Sequence, residues 1–225
     1  MAKKESLNVK EARSPLKKPG IPGISPKIFG IIEIVLGLAL LPFVYAVTAA
    51  FGREFFLIDK VAQASFGAGI AAFLAVYFFL WEPELVYAKG QELVGLVFGF
   101  FKPMVNIAPY LLPIYTIAAF FIYKLIALFK PSNALLHYTI FIFGITSALH
   151  LVFSARSIRS KGDDFLKGDY IFGVSSLYII NIMILSLFLG VMLKEFSFVD
   201  FCVGAYSIGK GIFAAFFRQL FVPKA

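Results

Sequence analysis

Six apolar stretches, at residues 28–51, 61–81, 85–101, 107–129, 136–153 and 170–193, dominate this sequence. About twenty helical residues cross a hydrocarbon core of roughly 30 Å, and most of these stretches reach that length. Inside a bilayer every backbone amide and carbonyl must pair within the protein, which leaves only helices and closed barrels. Barrel strands alternate apolar and polar residues over segments of about ten. The run holding Ile31, Ile32, Ile34, Val35 and Leu36 shows no such alternation. The sequence therefore predicts an all-α, polytopic helical membrane protein with about six transmembrane helices, within a range of five to seven. Its 60% hydrophobic and 15% charged residues stand against about 45–50% and about 25% in soluble domains, which excludes a soluble globular enzyme.

Three segments follow. Residues 1–27 carry seven of the twenty-one basic residues, with Pro15, Pro19, Pro22 and Pro26 interrupting any helix; they read as a flexible basic tail. Residues 28–193 form the membrane domain. Residues 194–225 hold a seventh apolar run, 196–222, broken by Asp200, Lys210 and Arg218, and read as an interfacial helix or an additional span. The net charge of +8 is concentrated in the tail, so it points to the lipid bilayer and its anionic headgroups rather than to nucleic acid. The single cysteine, Cys202, excludes an internal disulfide and a thiolate metal cluster.

The positive-inside rule places the basic tail in the cytoplasm of a multi-pass cell-membrane protein. Six full spans would then put Arg156, Arg159, Lys161 and Lys167 on the outside, against the same rule. One segment before that loop must then fail to cross, or the rule is overridden. The 17-residue run 85–101, which follows Glu82, Pro83 and Glu84, is the weakest of the six. The serines at 154, 157 and 160 fall in the basic stretch after the fifth run and read as a solvated loop.

Ionisable groups within membrane helices mark functional positions by default. They are Glu33, Glu92, Lys124, His137 and His150. Glu33 and Lys124 lie about one turn from the ends of their runs, where snorkelling explains them, and His137 also lies close to an interface. Glu92 shares a helical stripe with Gly95 and Gly99, a pattern that also serves close helix packing.

The stretch from Pro83 through Glu84, Tyr87, Gly90, Gln91, Glu92 and Leu93 to Gly95 resembles the zinc helix of M50-type (site-2-protease-like) intramembrane metalloproteases, whose small bacterial members read Pro-Glu-x-x-Tyr-x-x-Gly-His-Glu-Leu-x-His. Downstream, Asn106, Ala108, Pro109, Tyr110, Pro113 and Tyr115 are similar to their Asn-x-x-Ala-Pro-Tyr-x-x-Pro-x-Tyr segment, and the region of His150, Asp163, Asp164, Asp169 and Tyr170 resembles the part that supplies their Asp ligand. The resemblance covers about residues 66–193. It implies that Gln91 and Gly95 stand where two His would hold Zn²⁺, that Glu92 occupies the general-base position, and that Asp164 is the one surviving ligand. A glutamine is a poor zinc ligand and glycine offers none, while such a site needs three protein ligands. The family's substrate-holding hairpin is reduced here to residues 100–105. His137 and His150, thirteen residues apart on another segment, make poor replacements.

The resemblance thus implies a catalytically inactive homologue in a bacterial inner membrane, a membrane-embedded binding or scaffolding protein with a membrane-protein partner and no cofactor. In that reading the face made by Gln91, Gly95 and Gly99 packs against the helix after Asn106, with Glu92 a relic or a buried hydrogen-bonding group. Two alternatives stand beside it. One is an active intramembrane metalloprotease using zinc through unorthodox ligands, with Glu92 as base and Asp164 as ligand. The other is a small transporter or channel subunit whose polar path is lined by Glu92, Lys124 or His150.

Overall fold

The computed structural model describes residues 26–80, 84–97, 111–160 and 168–221. Seven helices occur among them: α1 (Pro26–Phe55), α2 (Lys60–Ala75, extended by a π-wound turn at Val76–Leu80), α3 (Glu84–Val97), α4 (Ile114–Phe129), α5 (Asn133–Ser160), α6 (Gly168–Met192) and α7 (Phe198–Phe221). No strand occurs among the described residues. Five stretches are long and apolar enough to cross a membrane: Ile34–Phe55, Lys60–Phe79, Asn133–Ile158, Tyr170–Met192 and Phe198–Gln219. The all-α polytopic architecture is thus as the sequence predicts, but the long helices are not the six expected runs. Among the described residues, the runs 85–101 and 107–129 hold a 14-residue α3 and a 16-residue α4, about 21 Å and 24 Å long at 1.5 Å per residue. The run 196–222 gives the long α7 instead.

The tightest contact in the bundle joins α2 to α5. A Cβ built on Gly69 would overlap the Phe141 carbonyl oxygen and lie 3.1 Å from Gly144 Cα, while one on Gly144 would overlap the Phe66 carbonyl oxygen and lie 3.0 Å from Ile70 N. Backbone meets backbone here in both directions. Such an approach maximises dispersion where lipid supplies no hydrophobic drive, and it is open only to residues without side chains. Phe66, Ile140 and Phe143 are buried around it, and Phe143 carries the core on to Phe188 at 6.1 Å and then to Phe120, stacked at 4.1 Å and 7°.

The helix directions follow from paired contacts. Gly69 meets Phe141 while Tyr77 meets Phe153, so α2 and α5 run parallel. Phe143 meets Phe188 while Ile158 meets Gly173, so α5 and α6 are antiparallel. Gly37 abuts Phe172 and Thr48 bonds Tyr178 at 2.9 Å, so α1 and α6 run the same way. Ala50 faces Gly204 and Phe43 faces Phe213, laying α7 antiparallel along α1. The turns at 56–59, 130–132 and 193–197 therefore gather at one end of the bundle. The starts of α1 and α6 and the ends of α5 and α7 gather at the other.

Local chemistry fixes that first end. The Asp59 carboxylate accepts from the amides of Val61 and Ala62 at 3.0 and 3.3 Å, capping α2. Ser197 Oγ caps α7 through the Asp200 amide at 3.1 Å. The buried carboxylate of Glu54 lies 3.4 Å from the Ser197 amide, at the positive end of the α7 dipole.

Gly144→Val is expected to lower the stability of the purified protein by about 1–3 kcal/mol, since neither backbone can move aside cheaply. Gly67→Ala, on the same helix as Gly69 but with nothing within 4 Å of its Cβ, is expected to have no such effect. Thermal unfolding in detergent distinguishes the two.

Candidate functional site

The α5 residues Phe143, Ser147, His150 and Ser154 recur at helical spacing and form one buried stripe. Three of the four are polar, in the interior of a membrane-type bundle. From α3, Tyr87 and Gln91, one turn apart, reach this stripe. The Tyr87 hydroxyl shares a 2.7 Å hydrogen bond with Ser154 Oγ and receives one from the Gln91 amide at 2.8 Å. The Tyr87 ring stacks on Phe153 at 5.5 Å and lies 6.3 Å from the His150 ring. On α6, Asn181 is fully buried at the same level. It lies two turns from Phe188 on one stripe, as His150 lies two turns from Phe143, and the antiparallel helices bring the two residues level.

Beside the cluster, Thr116 of α4 and Thr146 of α5 share a 2.9 Å hydrogen bond. The Tyr115 hydroxyl donates to the Val86 carbonyl. Tyr115 and Ile114 press onto Gly90, where a Cβ would stand 2.7 Å from the Tyr115 ring. The start of α4 is thereby locked onto the middle of α3 at the level of Thr146. Neither helix runs the full depth of α5.

The arrangement can hydrogen-bond a polar group but holds no strong charge. Both amide atoms of Asn181, with Ser147 Oγ and Ser186 Oγ, are buried and find no hydrogen-bond partner among the described residues. Each such group costs about 1–3 kcal/mol. Among the described residues no three His, Cys, Asp or Glu side chains are grouped to hold a metal ion.

The expected site residues separate in the structure. Gln91 is half-buried and committed to Tyr87, whereas Glu92 is exposed on the outer face of α3. This corrects the expectation of a buried hydrogen-bonding Glu92: the turn that directs Tyr87 and Gln91 inward directs its neighbour outward. The glycine at which α4 is seen to pack on α3 is Gly90. Gly95 lies in α3 with its surroundings outside the described residues, and Gly99, Asn106 and Asp164 are themselves outside them. The side chain of Glu33 is likewise outside them.

Lys124 donates to the Val191 carbonyl at 3.3 Å and sits 5.8 Å over the Phe120 ring, an end-of-helix cap on α6. His137 lies at the opposite end of α5 from the cluster and His150 within it. Ser154 is corrected too. Helix α5 continues to Ser160, and Ser154 is fully buried rather than in a solvated loop.

Ranking by charge passes over Asn181, the single Asn in the run 170–193, along with Ser147, and Tyr87 enters the sequence reading only as part of the zinc-helix resemblance. An amide inside an apolar run was the available signal for Asn181. Ser147 gave none that distinguishes it from an ordinary membrane serine.

No family model, curated protein or solved structure matches this chain.

Asn181→Leu, which removes two unpaired buried atoms at similar volume, is expected to raise thermal stability. Tyr87→Phe, which strips Gln91 and Ser154 of their partner, is expected to lower it by about 1–2 kcal/mol. Paired melting curves in one detergent check both signs.

Proposed function

We propose that this protein is a multi-pass membrane protein that binds rather than cuts: a membrane-embedded binding or scaffolding protein on an M50-like plan that has lost its zinc site. The observation that carries this reading is the cluster of Tyr87, Gln91, Ser147, His150, Ser154 and Asn181, a set of uncharged or weakly basic groups retained inside an apolar bundle at a stability cost. Departures from good packing concentrate at functional positions. The position of the family's first metal ligand supports the same reading, because Gln91 is used in a hydrogen bond to Tyr87. Glu92, which would activate a metal-bound water in an active relative, faces away from the cluster.

The helix directions support a cytoplasmic N-terminus. Helix α2 runs toward the end where α1 begins and α4 returns from mid-depth, so α2, α3 and α4 together make two passes rather than three. The end of α5, with Arg156, then lies on the same side as the basic tail, and the charge conflict disappears. Lying antiparallel along α1, α7 completes the bundle as an additional span.

Metal analysis of detergent-purified protein tests the reading beside a Gln91→His, Gly95→His double variant. Zinc below stoichiometry in the unaltered protein, and bound zinc in the double variant, are expected. Stoichiometric zinc in the unaltered protein contradicts the binding-only reading, and zinc in neither contradicts the M50-like plan.

A further inference from the structure

A groove of about 600 Å³ opens between α2 and α5 at the end where both begin. Its origin lies in the Gly69–Gly144 crossing. Two helices that touch backbone to backbone at one level diverge away from it, and over the eight residues from Gly69 back to Val61, about 12 Å, the facing side of α2 carries Ala64, Ser65 and Ala68. Their short side chains leave the widening gap unfilled. Ala64, Ala68 and Phe141 make apolar walls, while Asn133 and His137 line the end nearest the helix starts.

We infer that this groove is a binding site for a single anionic phospholipid, one acyl chain lying between α2 and α5 and the headgroup at the mouth. A volume of this size falls in the range of small-molecule sites, roughly 300–1,000 Å³. The groove also stops at the glycine crossing. An acyl chain enters from one end and stops there, whereas a transmembrane partner helix needs a face running the whole thickness of the bilayer.

The mouth supplies the charge. Lys60, its ammonium 3.4 Å from Gln63 Oε1, immediately precedes Val61, Lys130 lies three residues before Asn133, and α5 presents its positive dipole end here, that of α2 being offset by Asp59. The nearby carboxylate of Asp59 is engaged by the Val61 and Ala62 amides. His137 adds a polar ring at the same end. This complementarity favours an anionic headgroup over a zwitterionic one.

Native mass spectrometry of the full chain, titrated with phosphatidylglycerol or phosphatidylcholine, tests the site. Phosphatidylglycerol is expected to bind several-fold more tightly. Lys130→Glu, an exposed position between helices, should weaken phosphatidylglycerol binding several-fold and leave phosphatidylcholine unchanged. Ala64→Leu, which narrows the groove, should weaken both. The basic tail is common to all variants, so its share of binding cancels in the comparison. Equal affinity for the two lipids, or Lys130→Glu leaving phosphatidylglycerol binding unchanged, overturns the anionic headgroup. Ala64→Leu with unaltered binding and an unaltered melting temperature overturns the groove as the location.

Discussion

The contact between the backbones of Gly69 and Gly144 is the constraint on which the rest of this structure depends. It brings α2 and α5 together with no side chain between them, in a pair whose second contact, Tyr77 on Phe153, makes it parallel. A parallel pair well separated in sequence can form only if the intervening chain returns to the end from which α2 started. Helix α4 makes that return, and α3 is left as a short element against the side of α5. The polar cluster, the groove between α2 and α5, and the end shared by the start of α1 and the end of α5 all accord with this one crossing.

Its consequences differ along α5. Toward the start, the helices diverge and small residues leave a groove. Toward the end, the space beside α5 is taken by α3, which inserts Tyr87 and Gln91 against Ser154 and His150. Apolar surfaces can slide against one another inside a bilayer, but hydrogen bonds between buried side chains specify register. The Tyr87–Ser154 and Thr116–Thr146 bonds therefore fix how deeply α3 and α4 sit. The Phe120–Phe188 stack binds the upper part of α4 to α6, and Lys124 closes the last turn of α6.

Hydropathy alone was enough to read the helical membrane class, because the length of an apolar run reports directly on what it can span. It did not distinguish a helix that crosses from one that reaches half-way. The run 107–129 looks like a full span although α4 begins only at Ile114, after Pro113, whose missing amide suits a helix start. The charge conflict did point to 85–101 as the weak segment, and α3 is the shortest of the seven helices. The close crossing was illegible for a different reason. Eighteen glycines are present, and nothing local separates Gly69, which meets a backbone, from Gly67, which meets nothing. Which glycine faces a partner depends on the rotation of each helix, and weakly amphipathic membrane helices do not encode that rotation in a polar face.

The most direct test of this account is the side on which the turns emerge. In a Cys202→Ser background, single cysteines at Leu57, Ser132 and Lys194 can be compared with cysteines at Ser6 and Arg156 for reaction with a membrane-impermeant maleimide in intact cells. The expected result is labelling at Leu57, Ser132 and Lys194, and labelling at Ser6 and Arg156 only after the membrane is opened. Labelling of Leu57 and Ser132 from opposite sides would mean that the chain crosses an odd number of times between them, which contradicts a parallel α2 and α5 and with it the crossing that organises the bundle.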